Sequence, residues 1–180
     1  MLNNFQKKPN NYLKHLQGSF MFLKKYSLLY CWIHKAASSS WSRIFFEMSN
    51  MPVPGDDFLH AANHLFRPKE NVSLRHLFNI STVSFAIVRH PFERLVSAFR
   101  DKFELAALDD WFFKFYAADI FSLPDSAYLT GEGLRRPSFP QFVSYLLNTS
   151  VMDYNDHWLP YWLHCQFCDY KLVFYINTTL

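Results

Sequence analysis

The run SFAIVRHPFERLVSAFRDKFE, from Ser84 to Glu104, is an apolar strand that turns at a proline straight into an amphipathic helix. Val83, Phe85, Ile87 and Val88 are the β-branched and aromatic residues of a buried strand. Arg89 stands at its carboxyl end, and Pro91 takes the first helical position, where its missing N–H costs nothing. His90, held extended by the proline after it, is the expected N-cap. Phe92, Leu95, Val96, Phe99 and Phe103 then recur at helical spacing, with Glu93, Arg94, Arg100, Asp101 and Lys102 on the other face. A helix amino terminus offers free N–H groups and a partial positive charge of roughly half a unit. With Arg89 beside it and Ser97 further along, the junction has donors that converge on a phosphate.

A second junction lies upstream in LLYCWIHKAASSSWSRIFFEM. Leu28 to Ile33 is again a short apolar run of strand type, followed by Lys35, the serines Ser38, Ser39 and Ser40, and then Trp41, Ile44, Phe45 and Met48 at helical spacing. The serine hydroxyls can cap this helix while their backbone amides point at an anion. Lys35 adds a mobile point charge, suited to a phosphate-like group whose charge changes during transfer. The loop is not a Walker A sequence. GxxxxGK[ST] is absent, and the glycines are Gly18, Gly55, Gly131 and Gly133. Nucleotide kinase chemistry is therefore disfavoured. Strands alternating with helices predict an α/β fold with a parallel sheet flanked by helices, and a ligand at the carboxyl ends of the strands, where both junctions fall.

HKAASSSWSR followed by AIVRHPFERLVSAFRDKF resembles the two nucleotide-binding motifs of the Golgi carbohydrate sulfotransferases, sulfotransferase family 2, in particular the group containing chondroitin and dermatan 4-O-sulfotransferases. DHWLPYWLHCQFCDYKLVFYI is similar to that family's later pattern through His157, Trp158, Cys165, Cys168 and Tyr170. The resemblance implies a P-loop-like sulfotransferase fold that binds 3′-phosphoadenosine 5′-phosphosulfate and passes its sulfuryl group to a sugar hydroxyl, without a metal. It further implies that Lys35, Ala36, Ala37 and the Ser38 to Trp41 turn hold the 5′-phosphosulfate with Arg43 in support, and that Arg89 and Ser97 hold the 3′-phosphate. Lys35 is the expected catalytic charge. The general base is left among His60, His64 and His157, because histidine, with an ordinary pKa of about 6.5, accepts a proton near neutral pH. The family usually has proline before the lysine and glycine two residues after it, where this chain has His34 and Ala37. A degenerate relative acting as a glycan- or partner-binding module is the alternative.

The chain of 180 residues, 50% of them hydrophobic, can bury one sizeable core and is expected to be a single domain. Residues 1 to 25 are expected to be a loosely ordered leader, and 26 to 180 a partial sulfotransferase domain. MPVPGDD is a clear break, and Ser138 with Gln141 fits a capping box for the helix carrying Phe142, Tyr145 and Leu146. Aromatics reach 19%, and Asp109 to Phe121 reads as a helix with apolar residues around much of it. Core packing is the first reading of Phe112, Phe113, Phe115, Tyr116 and Phe121, and a sugar-stacking wall the second. A net charge of +3 gives no case for nucleic acid. Arg67, Lys69, Arg75, Arg135 and Arg136 either face a polyanionic glycan or are solvated loop charges.

No apolar run of about 18 or more uncharged residues is present, and the amino terminus lacks the pattern of a signal peptide. Asn71, Asn79, Asn148 and Asn177 each begin an N-x-[ST] sequon. With the resemblance, they imply a Golgi-luminal enzyme, a type II membrane protein in its intact form. The chain is then expected to be a shortened member, without the amino-terminal anchor and without the helices that finish the nucleotide pocket at the carboxyl end. The acceptor would be a glycan such as a chondroitin- or dermatan-type chain. Three cysteines permit one internal disulfide, and Cys165 and Cys168 form a CxxC beside His164 without a second ligand pair for zinc. Pairing or burial of the cysteines in an oxidising lumen is expected.

Overall fold

The computed structural model describes residues 19–69, 72–122, 135–165 and 174–177. Where composition points to one domain, the chain divides into two compact units. One comprises the residues up to Arg89 together with those from Pro160 onward, and the other is His90–Leu159.

The first unit is built on a four-stranded sheet in the order β1-β2-β3-β4. β1 (Phe20–Leu23) runs antiparallel to β2 (Leu28–Cys31), while β3 (Val83–Val88) and β4 (Phe174–Asn177) continue the sheet in parallel. A 3-10 turn, Lys24–Tyr26, joins β1 to β2 and closes on Ser27, whose φ of 47° lets its N–H reach the Lys24 carbonyl at 3.1 Å. The expected leader boundary near residue 25 therefore falls inside an ordered hairpin. Two lysines after FMFL read as a break in an apolar run, but they occupy the exposed turn.

Side chains alternate across the strands. On one face Tyr30, Trp32, Phe85 and Ile87 pack with Phe45 and Phe46 of α1 (Ser38–Met48) and Phe58 and Phe66 of α2 (Phe58–Phe66). On the other, Leu29, Cys31 and Ala86 pack with Leu74 and Leu77 of α3 (Leu74–Ile80). The sheet is covered on both sides, as a predominantly parallel sheet requires. Tyr30 stacks on Phe85 with ring centroids 5.0 Å apart, and Phe45 and Phe46 each meet the Phe66 ring edge-on. Each fully buried aromatic of this kind contributes on the order of 2–3 kcal/mol by removal from water.

The second unit contains α4 (Pro91–Phe99), α5 (Trp111–Phe121) and α6 (Phe139–Asn148) around Phe99, Phe103, Phe113, Phe142 and Trp158. Asp110 Oδ1 accepts from the Phe113 N–H at 2.9 Å to start α5. The Ser138–Gln141 capping box starts α6 as the sequence predicts, with the Ser138 N–H donating to Gln141 Oε1 at 2.8 Å. The expected apolar face of α4 is corrected. Phe92 is 74% exposed, Val96 is exposed, and the buried residues are Arg94, Ala98 and Phe99. The helix also does not run regularly to Phe103, because Arg100–Glu104 widens into a π turn closed by the Leu105 N–H on the Arg100 carbonyl at 2.8 Å. Phe103 is nevertheless fully buried. In α5, Phe113 is core, whereas Phe115 and Trp111 are exposed and stack on each other with centroids 5.8 Å apart.

Candidate functional site

β2 and β3 are parallel neighbours with Cys31 opposite Ala86, so both chains leave the sheet at the same edge. Adjacent strands lie about 4.8 Å apart, which brings the segment Trp32–Ala37 out beside Arg89. The two expected anion loops thus leave the sheet of the first unit side by side.

The Lys35 loop folds without a glycine. Ile33 and Ala36 are fully buried, and the Ala36 N–H reaches the Ile33 carbonyl at 3.3 Å. Anchored at these two points, the loop places Lys35 at φ 64° and Ala37 at φ 59°, both left-handed. Ala37 is the N-cap of α1 and makes no side-chain cap bond. This corrects the expectation that serine hydroxyls cap the helix, since Ser38, Ser39 and Ser40 occupy its first turn. Ser38 is buried and its carbonyl accepts from Ser42 Oγ at 2.9 Å, while Ser39 and Ser40 are exposed. A first turn whose amides have no side-chain cap, behind a left-handed turn, is the backbone geometry that favours an anion. Trp41 packs edge-on to Phe85 at 4.6 Å, tying the turn to β3. Arg43 is exposed, and its guanidinium sits over the Phe58 ring at 4.2 Å.

Arg89 follows the last paired residue of β3 and is half-buried. Its N–H donates to Tyr161 Oη at 3.0 Å, and Tyr161 Oη donates to its carbonyl at 2.8 Å. His90 caps α4 without a side-chain bond and Pro91 takes the first turn, as the sequence predicts. Ser97 is half-buried on α4 and belongs to the His90–Leu159 unit. Tyr161 gave no signal in the sequence, because neither spacing nor periodicity connects it to a residue 72 positions away.

Of the candidate bases, His60 and His64 share the exposed face of α2, and His60 Nδ1 lies 3.6 Å from Asp57 Oδ2. His157 is half-buried in the second unit, with Nδ1 2.6 Å from Asn155 Oδ1 and its ring edge-on to Phe112 at 5.3 Å. Cys31 pairs with Cys165 in a disulfide, Cα to Cα 6.1 Å, and both are fully buried. Cys165 lies on α7 (Tyr161–Cys165), while Cys168 and Tyr170 lie outside the described residues. Among the described residues no cluster of His, Cys, Asp or Glu could hold a metal ion, and no helix is long and apolar enough to cross a membrane. The basic residues divide by role: Arg67 and Arg75 are exposed, whereas Arg136 donates to the Phe103 carbonyl at 2.6 Å and Arg135 lies over Phe121 at 4.7 Å.

Comparison with known proteins finds carbohydrate sulfotransferases among the relatives of this chain. Carbohydrate sulfotransferase 12 of Xenopus laevis is 28% identical over 92% of this chain and 45% of the relative. Carbohydrate sulfotransferase 14 of Homo sapiens is 32% identical over 80% of this chain and 38% of the relative. Carbohydrate sulfotransferase 11 of Rattus norvegicus is 30% identical over 89% and 47%. The chain spans less than half the length of these relatives. No solved structure matches it. A model described as the Sulfotransferase family matches residues 18–179, both loops included, and this chain belongs to that family.

Proposed function

We propose that the chain binds 3′-phosphoadenosine 5′-phosphosulfate at the shared edge of β2 and β3 and transfers its sulfuryl group to a glycan hydroxyl. The parallel pairing that brings the Lys35 and Arg89 loops out side by side is the observation that carries this reading. Lys35 and the first-turn amides of α1 take the phosphosulfate, and Arg89 takes the 3′-phosphate. Ser97 and Arg43 enter this set through the family resemblance.

In the transfer, the hydroxyl oxygen attacks sulfur in line, the bond from sulfur to the bridging oxygen breaks, and the hydroxyl proton passes to a base drawn from His60, His64 and His157. Negative charge grows on the departing bridging oxygen. The α1 amides are fixed donors for that charge and need little reorganisation as it develops, and the mobile Lys35 ammonium adds a full positive charge. The family's glycine position is occupied by Ala37, which adopts the left-handed conformation itself, so the loop path does not depend on a glycine there. That favours a working donor loop over a degenerate binding module. The acceptor class we assign is a chondroitin- or dermatan-type chain in the Golgi lumen, with the protein a type II Golgi membrane protein by its family resemblance. The buried Cys31–Cys165 disulfide and the exposed sequon residues Asn79 and Asn148 support an oxidising, luminal setting.

Calorimetry with adenosine 3′,5′-bisphosphate tests the pocket. Arg89→Ala is expected to weaken binding at least about tenfold, as loss of a charge-assisted contact to phosphate does. Equal binding by wild type and variant would overturn the assigned pocket. Radiolabelled sulfate passed to desulfated chondroitin, and to desulfated heparan as the contrasting acceptor, tests the acceptor class.

A further inference from the structure

Resting on the donor pocket proposed above, we propose that Tyr161 is a positioning residue for Arg89, and that α7 sets the spacing between the two anion loops. Arg89 lies one residue beyond the last paired position of the β3–β4 ladder, Val88 opposite Asn177. Its N–H and carbonyl therefore need partners from elsewhere. A single tyrosine hydroxyl, with one proton to give and lone pairs to accept, serves both, at 3.0 and 2.8 Å. The peptide from which the Arg89 side chain projects is thereby pinned at donor and acceptor together.

The same short helix holds the other loop. Tyr161 and Cys165 are four residues apart and so share a helical face. Cys165 is bonded to Cys31, the last residue of β2 before the Lys35 loop. Both residues also pack in the cluster that contains Ile33 and Ala36, the two buried anchors of that loop. One face of α7 therefore fixes the exit of β3 through hydrogen bonds and the exit of β2 through a covalent bond. A two-ended anion such as a nucleotide with separate 3′- and 5′-charges binds best when the distance between its two receptors is preset, because no ordering is then left to the binding step.

Tyr161→Phe separates this role from packing, since it keeps the ring and removes only the hydroxyl. Calorimetry with adenosine 3′,5′-bisphosphate is expected to show affinity lower by roughly three- to tenfold, the usual worth of lost neutral hydrogen bonds. Amide exchange at Arg89 is expected to accelerate, and the thermal midpoint to fall modestly, since two hydrogen bonds are lost while the ring packing is kept. In an Arg89→Ala background the added Tyr161→Phe change is expected to cost nothing further, because its effect passes through Arg89. Wild-type affinity in Tyr161→Phe, or an equal loss in both backgrounds, would overturn the positioning role while leaving the pocket intact. A wild-type protein that does not bind the bisphosphate would instead overturn the pocket, and this role with it.

Discussion

The Arg94 guanidinium donates from Nη1 to the Leu159 carbonyl at 2.7 Å, and from Nη2 to the Asp156 carbonyl at 2.9 Å, with the side chain only 5% exposed. A charged residue on α4 is thus part of the interior of the His90–Leu159 unit, holding the segment that carries His157 and Trp158. Arg94→Met keeps most of the apolar stem but leaves two carbonyls without these donors. It is expected to lower stability by about 2–4 kcal/mol, the cost of hydrogen bonds to a charged group together with unsatisfied buried acceptors. Urea unfolding of the variant against wild type measures it. A loss within the noise of a surface substitution would show that the guanidinium is replaceable by water.

The inward turn of Arg94 also marks the limit of what the sequence carries. Periodicity placed Arg94 on the polar face and Phe92 on the apolar one, because the pattern weighs a residue by its type. The carbonyls that reverse this come from 62 and 65 positions further on. By the same physics the Tyr161–Arg89 contact was illegible, and three cysteines allowed one disulfide without showing that its partners are Cys31 and Cys165, 134 positions apart. Both strand-to-helix junctions were legible because their signals are local: alternation switching to helical spacing, Pro91 at a helix start, and apolar strands long enough to be covered on both faces. The placing of Lys35 and Arg89 at one sheet edge followed from those signals. The alternative capping of α1 did not, since it depends on Ile33 and Ala36 being buried and dragging the turn one residue earlier.

Ala37 holds φ 59° and ψ 22°, a conformation that costs an L-residue about 1–2 kcal/mol. Glycine removes that strain but adds about 0.5–1 kcal/mol of backbone entropy to be lost on folding. Ala37→Gly is therefore expected to stabilise the protein by up to about 1 kcal/mol, a rise of about 2–4 °C in thermal midpoint for a chain of this size. Ala37→Val, β-branched at a left-handed position, is expected to lower the midpoint. Scanning calorimetry of the pair decides the matter, and equal midpoints for all three chains would show that the turn relaxes away from this geometry.

Tyr30 is fully buried among Trp41, Phe45 and Phe85, and its hydroxyl finds no partner among the described residues. Burial pushes the phenol well above its ordinary value. A group whose folded-state pKa is raised contributes stability that is complete below the unfolded value, about 10 for tyrosine, and is lost as the pH climbs past it. Tyr30→Phe removes an unpaired polar atom, so it is expected to leave stability at neutral pH unchanged or raise it by about 1 kcal/mol. It should also flatten the fall in stability above about pH 10. Urea midpoints across the alkaline range give both results. A clear loss at neutral pH would mean that the hydroxyl is hydrogen-bonded in solution.

Lys35 and Arg89 emerge from neighbouring strands but are assigned different work, and kinetics can separate them. In the proposed transfer Lys35 faces charge that grows as the bridging oxygen departs, so its contribution is larger in the transition state than in the bound donor. Arg89 grips a 3′-phosphate whose charge does not change, so it contributes equally to both states and acts through binding. Lys35→Met is accordingly expected to lower kcat by about a hundredfold or more, in the range seen when a preorganised donor to developing charge is removed. Its donor KM should change little, while its affinity for adenosine 3′,5′-bisphosphate, whose 5′-phosphate carries the departed charge, should fall. Arg89→Met is expected to raise the donor KM and the bisphosphate Kd together while largely sparing kcat. Steady-state rates at saturating donor, set beside calorimetric affinities for the same variants, resolve the two patterns. Should both substitutions raise KM alone, Lys35 would be a second binding cation, and the charge that drives bond breaking would have to come from the α1 amides.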